Sequence, residues 1–320
     1  MSLTLALVYL AVGFVLLIWS ADRLIAGASA LARNFGISAL VVGVTIVGFG
    51  TSAPEMVVSA LASLEGNPSL AIGNALGSNI ANIGLILGLT GLVYPMTVER
   101  SATRREIPML AAVTVLTAIL MLDGAFSRID GIVLFVGLVA FLIAMLLRGR
   151  HSDSLDAATE ALLSEITETL SVRAAVLWTL VGLIVLPLSA KILVDGAVGL
   201  ASLMGVSEAV IGLTVVALGT SLPELAAAIA SAVRKEDDLC IGNILGSNLF
   251  NLLGVLGIAA LIHPMVIEPI LILRDLPVMA AVFLLLAGMA FLFGKVSRIG
   301  AGILLSSYVV YQIAVFAEAL

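Results

Sequence analysis

Glu55 and Glu224 each lie inside a long apolar run, and each ends the same short pattern. Residues 50–55 read Gly-Thr-Ser-Ala-Pro-Glu; residues 219–224 read Gly-Thr-Ser-Leu-Pro-Glu. A carboxylate at membrane depth costs roughly 2.5–3.5 kcal/mol on insertion scales, and one that persists there ordinarily has a function. Pro54 and Pro223 cannot donate a helical hydrogen bond, and their rings push a carbonyl aside. Gly48 and Gly50 loosen the same turn as Pro54. Oxygens freed at that depth are tolerated only where something satisfies them. Thr51 and Ser52 fall within one helical turn of Glu55, as Thr220 and Ser221 do of Glu224.

A second motif follows each glutamate. Residues 73–82 read Gly-Asn-Ala-Leu-Gly-Ser-Asn-Ile-Ala-Asn, and Asn74, Ser78 and Asn82 make a polar stripe at helical spacing. Asn243, Ser247 and Asn251 repeat it. Carboxylates, hydroxyls, amide oxygens and loosened carbonyls are all hard oxygen ligands. No Cys or His cluster accompanies them, which argues against zinc or copper. Calcium takes six to eight such oxygens in a flexible shell. Two carboxylates balance one Ca²⁺, and the same cage suits a few Na⁺. A lone proline in a membrane helix is ordinarily a kink, and a lone polar residue ordinarily joins two helices. A duplicated set with two carboxylates and no basic residue in either motif reads as a cation site.

The elements that carry these residues follow from composition. The chain has 320 residues, is 61% hydrophobic and 11% charged, and has mean hydropathy +1.23. A soluble domain is near 45–50% apolar and about 25% charged, so this is an integral membrane protein. The single cysteine, Cys240, excludes an intrachain disulfide. The first apolar run has no basic stretch before it and is expected to be a retained span rather than a cleaved signal. The runs are continuously apolar over helix length, where barrel strands would alternate. The fold class expected is therefore an all-α polytopic membrane protein. Ten transmembrane helices are expected at 3–26, 37–63, 69–94, 106–122, 128–147, 173–197, 206–232, 239–262, 275–293 and 299–318.

The chain repeats itself at an offset of 169 residues: 41–60 match 210–229 at 9 of 20 positions, and 69–88 match 238–257 at 11 of 20. Each copy holds five spans. An odd number makes the second copy enter the membrane from the opposite side, the inverted-repeat plan of many secondary transporters. The expected division is a first repeat over 1–147, a cytoplasmic linker with a surface helix over 148–172, and an inverted second repeat over 173–320. With the N-terminus outside, eleven Lys and Arg fall in inner loops and two, Arg128 and Arg274, in outer ones. That bias predicts both termini on the outer (periplasmic or extracellular) side of the plasma, or inner, membrane. Arg23 and Lys191, within spans 1 and 6, read as snorkelling residues.

Gly-Thr-Ser-x-Pro-Glu followed by Gly-Asn-x-x-Gly-Ser-Asn, twice, resembles the two alpha-repeats of the sodium/calcium exchanger family within the calcium/cation antiporter superfamily. The resemblance covers the whole membrane domain. It implies ten helices and electrogenic Na⁺/Ca²⁺ antiport through four central sites. The ligands it implies are Glu55, Glu224, Ser52, Ser221, Ser78, Ser247 and Asn82, with Asn251 at the position matching Asn82 in the second repeat. Backbone oxygens are implied at Thr51 and Thr220 and at the positions of Gly48 and Ala217. It further implies that spans 1 and 6 slide as a gate. Many relatives have an aspartate where this chain has Asn251, which keeps the oxygen and removes a charge.

The function expected is a secondary active antiporter exchanging Ca²⁺ for Na⁺ by alternating access. A cation/H⁺ antiporter is the alternative, since a carboxyl in apolar surroundings can carry protons. A channel is a third reading, against which the discontinuous helices stand. No His-Glu-x-x-His or nucleophile elbow points to an enzyme. No cofactor is expected. Membrane lipid and the transported cations are the expected partners, with no nucleic acid and no obligate protein partner.

Overall fold

The computed structural model describes residues 2–64, 66, 68–148, 170–204 and 219–319. It is predominantly helical. The elements that matter here are α1 (Leu3–Phe35), α2 (Ala39–Thr51), α3 (Ala53–Leu64), α4 (Leu70–Val93), α5 (Glu106–Met121) and α6 (Arg128–Arg148) in the first part of the chain. The second part carries α7 (Val172–Leu203), α8 (Leu222–Val233), α9 (Asp237–Ile262), α10 (Leu271–Phe293) and α11 (Arg298–Ala319). Among the described residues seven helices are long and apolar enough to cross a membrane, or eight if the bent pair α2–α3 is one span. Helix α5, expected as a span, has sixteen residues. At 1.5 Å per residue it is about 24 Å long, somewhat short of a hydrocarbon core of about 30 Å. Most of the expected span 206–232 lies outside the described residues, as do residues 149–169 of the expected linker.

Helix ends are set locally. Ser2 caps α1, its hydroxyl accepting from the Leu5 amide at 3.3 Å. Gly36 ends α1 with φ +61°, a conformation that suits glycine, and the Ile37 amide then reaches back to the Ala32 carbonyl at 2.9 Å. Ser38 caps α2 in turn, accepting from the Val41 amide.

Burial separates the inner helices from the outer ones. In α4 and α9, 72% and 89% of the most apolar stretch is buried, against 22% in α1 and 28% in α7. Helices α4 and α9 therefore form the centre, and Phe14, Ile18, Ile184 and Leu188 on α1 and α7 face outward. The larger apolar core surrounds α4, α9 and α10. A smaller, separate cluster joins α1 and α7 to Val42, Val47, Ala227 and Leu239.

Helices α1 and α7 pack along most of their length through glycines. A Cβ on Gly13 would lie 2.6 Å from the Leu193 nitrogen, and one on Gly182 2.6 Å from the Leu24 Cα. Gly27 meets Thr179, and Gly196 meets Leu10. As numbers rise along α1 they fall along α7, so the helices are antiparallel. Gly13–Leu193 and Leu24–Gly182 are one contact related by the 169-residue offset, and Ser20 Oγ and Ser189 Oγ, 169 apart, lie 3.4 Å from each other. The same reciprocity appears in two short antiparallel pairings. Strand β1 (Met96–Thr97) pairs with β4 (Lys295–Val296), and β2 (Ala125–Phe126) pairs with β3 (Met265–Val266).

Arg274, counted with the outer loops, lies in the π-helical first turn of α10 (Leu271–Asp275). Its Nε donates to Asp275 Oδ1 at 2.7 Å, and its guanidinium stands 5.9 Å from the Tyr311 ring. The adjacent carboxylate compensates a charge that would be costly alone at that position.

Candidate cation-binding site

Each glutamate sits at the start of a half-helix. Helix α2 ends at Thr51, Ser52 turns the chain with φ −82° and ψ 1°, and α3 leaves at 44° to α2. Ser221 repeats this before α8 with φ −89° and ψ 4°. The prolines explain the break. Pro54 and Pro223 are second residues of α3 and α8, in the first turn, where a missing N–H costs nothing. Glu55 and Glu224 come next, where a carboxylate complements the partial positive charge of a helix N-terminus. Both are 1% exposed.

The asparagine helices are locally underwound at matching places. Ala81–Leu87 of α4 and Phe250–Val255 of α9 are π-helical, and each contains its candidate ligand, Asn82 or Asn251. Such turns occur frequently at functional sites. Helix α3 packs against the π turn of α9, and α8 against that of α4. The two halves are thus interleaved, with each glutamate helix beside the other half's asparagine. Glu55 and Glu224 are close enough for their charges to interact.

Hydrogen bonds run both between and within the halves. Ser52 Oγ donates to Glu224 Oε1 at 3.2 Å. Thr51 Oγ1 donates to Asn243 Oδ1 at 3.1 Å and lies 3.3 Å from Ser247 Oγ. Asn74 Nδ2 donates to the Glu55 carbonyl at 3.2 Å and to Ser59 Oγ at 2.9 Å; Asn243 Nδ2 donates to the Glu224 carbonyl at 3.5 Å. Asn82 Nδ2 donates to Asn248 Oδ1 at 3.3 Å, and Asn251 Nδ2 to Asn79 Oδ1 at 3.1 Å.

These bonds leave a specific remainder. Among the described residues, Glu55 Oε1 and Oε2, Glu224 Oε2, Asn82 Oδ1 and Asn251 Oδ1 are buried and accept from no donor, and Asn248 Nδ2 is buried without an acceptor. None of the ion pairs among the described residues involves either glutamate. Buried acceptors without donors cost about 1–3 kcal/mol each, more when charged. Donor-free acceptor oxygens with two carboxylates among them suit a desolvated hard cation, with Ca²⁺ balancing the charge. Among the described residues no group of three or more His, Cys, Asp or Glu could hold a metal, so a cation here depends on neutral oxygens beside the carboxylate pair.

The structure ties Ser52 to Glu224 and Thr51 to Asn243 and Ser247, and it sets Asn82 and Asn251 on the π turns against which α8 and α3 pack. Ser78 and Ser221 are buried on the same elements, and Thr220 is half-buried. Gly48 is buried, with its Cα side against Gly246 and Ser247. Ala217 lies outside the described residues. Sequence reasoning passed over Asn79 and Asn248, which pair with Asn251 and Asn82. Their signal was present: each is the Asn of a duplicated Gly-Ser-Asn, but each falls off the stripe that singled out its neighbours.

The profile of the sodium/calcium exchanger protein family matches residues 5–147 and 174–317. The chain is 43% identical to the putative antiporter CaxA of Alkalimonas amylolytica over 98% of this chain and 99% of that one. It is equally identical to the inner membrane protein YrbG of Escherichia coli over 94% of each. The solved structure of the sodium–calcium exchanger NCX_Mj, soaked without Na⁺ and Ca²⁺, superposes with a TM-score of 0.86 at 32% identity. It covers 98% of this chain and all of that one.

Proposed function

Since the chain belongs to the sodium/calcium exchanger family, a family of membrane cation antiporters, we propose that it exchanges Ca²⁺ for Na⁺ by alternating access. The observation that carries this reading is the set of donor-free buried oxygens on Glu55, Glu224, Asn82 and Asn251. Ca²⁺ bound between Glu55 and Glu224 is neutralised by them. Adding Na⁺ beside it would leave net positive charge in a low-dielectric site, which is costly. The two cations therefore compete for one set of oxygens, and competition for one site exposed alternately to each side produces antiport rather than cotransport. Thr51, Thr220, Ser52, Ser221, Ser78 and Ser247, with carbonyls near Gly48 and Ala217, complete the shell.

The fold assigned with this function has ten spans. Helix α5 and the segment ending in α8 count as spans, in repeats over 1–147 and 173–320, with 148–172 cytoplasmic and both termini outside. The reciprocal contacts at an offset of 169 residues support that arrangement. Helices α1 and α7 form the moving pair, supported by their close mutual packing and by an apolar cluster distinct from the main core.

Proteoliposomes test the function directly. Ca²⁺ uptake is expected to follow an imposed Na⁺ gradient and to be insensitive to an imposed pH gradient. Uptake driven by pH alone would mean that Glu55, whose two oxygens accept from no donor, exchanges Ca²⁺ for protons instead.

A further inference from the structure

We infer that Asn79 and Asn248 are positioning residues that turn the amide oxygens of Asn251 and Asn82 toward the cation. The inference rests on the cation-site reading above and adds two residues to it. An asparagine side chain has one oxygen and one NH₂ group of nearly the same size, so as a ligand it is ambiguous. Facing a cation with the NH₂ group would replace attraction by repulsion. Something must fix the orientation, and in a buried site that requires an acceptor for the NH₂ on the far side.

Asn248 and Asn79 supply it. Asn82 Nδ2 donates to Asn248 Oδ1 at 3.3 Å, and Asn251 Nδ2 donates to Asn79 Oδ1 at 3.1 Å. In each pair the oxygen that remains, Asn82 Oδ1 or Asn251 Oδ1, is buried and accepts from no donor among the described residues. Asn79 Nδ2 reaches Met279 Sδ at 3.5 Å, whereas Asn248 Nδ2 is buried without an acceptor among the described residues. All four asparagines are buried. The two pairs are one contact repeated at the 169-residue offset, because 82 corresponds to 251 and 79 to 248. An accidental amide contact has no reason to recur in the same sense in both halves. Each pair also joins α4 to α9, so the orientation of a ligand in one half is set by a residue of the other.

The asymmetry between an amide and a carboxylate gives a test that packing alone does not mimic. Asn251→Asp presents an oxygen whichever way it turns, so it no longer needs Asn79 as an acceptor. The half-saturating Ca²⁺ concentration for Na⁺-driven uptake would be measured for Asn79→Leu with Asn251 intact and again together with Asn251→Asp. Ca²⁺-dependent thermal stabilisation of the purified variants gives a binding readout independent of turnover. Loss of such a supporting partner typically costs about 10–100-fold in metal affinity. That loss is expected with Asn251 intact, and a loss below about threefold with Asn251→Asp. Asn248→Leu should behave the same way with Asn82 intact and with Asn82→Asp, and this second cycle stands if the first pair of variants does not fold. Equal losses in both backgrounds, in a protein that exchanges Ca²⁺ for Na⁺, would overturn the positioning role and leave the exchanger reading intact. Absence of Na⁺-driven Ca²⁺ uptake by the unmutated protein would overturn the exchanger reading, and the positioning role with it.

Discussion

Replacing Glu55 by glutamine separates what the carboxylate does for the cation from what it costs the protein. Glu55→Gln preserves shape and removes one of two formal charges. Opposite unit charges about 4 Å apart attract by about 4 kcal/mol at an effective dielectric constant near 20, and a divalent ion doubles this to about 8 kcal/mol. Much of that is offset, because the missing charge no longer has to be desolvated. If a quarter survives, about 2 kcal/mol remains, or roughly 30-fold in half-saturating Ca²⁺. The ion-free protein should respond in the opposite sense. Among the described residues both Glu55 oxygens are buried and accept from no donor, a penalty larger for a charged group than for an amide. Ion-free Glu55→Gln is therefore expected to melt above the unmutated protein while losing most of its stabilisation by Ca²⁺. Glu224→Gln should show the same loss with a smaller ion-free gain, because Ser52 already donates to one Glu224 oxygen. Thermal unfolding with and without Ca²⁺, paired with uptake in proteoliposomes, measures both signs. A Glu55→Gln variant with unmutated half-saturation and full Ca²⁺ stabilisation would refute the site. Ion-free melting below the unmutated protein would refute the account of Glu55 as a carboxylate without a compensating partner.

Three further outcomes are expected. Because Asn251 leaves Glu55 and Glu224 as the only formal negatives of the proposed cage, Ca²⁺ already neutralises it. Uptake should be unchanged when K⁺ on both sides is replaced by choline, and a strict K⁺ requirement would sink this charge argument. In a Cys240→Ala background, cysteines introduced at Ser2 or Ala319 should react with an impermeant thiol reagent from outside, and one at Ser154 should not; opposite labelling of the termini would contradict an even number of spans. Gly182→Ala places a Cβ 2.5 Å from the Leu24 Cβ and 2.6 Å from its Cα. Overpacking of this kind costs about 1–3 kcal/mol, so a lowered melting temperature is expected, and an unchanged one would mean that α1 and α7 separate freely.

Hydropathy and the duplicated motifs are local properties, so much of this protein is legible along the chain. Continuous apolar runs specify membrane helices whatever their neighbours. A proline does not break a membrane helix by itself, since Pro187 lies inside the continuous α7; Pro54 and Pro223, each preceded by glycine and hydroxyl residues, mark the turns at Ser52 and Ser221. The repeat offset named Glu55 and Glu224 together, and with them most of the candidate oxygens. How those oxygens are shared came from folding. The two glutamates have the same motif but, among the described residues, different partners, since Ser52 bonds Glu224 while both Glu55 carboxylate oxygens accept from no donor. A duplicated sequence cannot express that difference, because it depends on contacts more than 160 residues away in the chain. The asparagine stripe was legible as a stripe, but not its division of labour. Asn74 turns to Ser59 and the Glu55 carbonyl, whereas Asn82, in a π-helical turn, reaches Asn248. Asn79 and Asn248 lie off that stripe, in regular helix just before the π turns, and only the packing of α4 against α9 pairs them with Asn251 and Asn82. The partners of Arg274 at the start of α10, Asp275 and the Tyr311 ring, likewise came from folding. Spacing along one helix fixes which residues can share a face; only the packing of α3 and α8 against the opposite π turns fixes which of them meet.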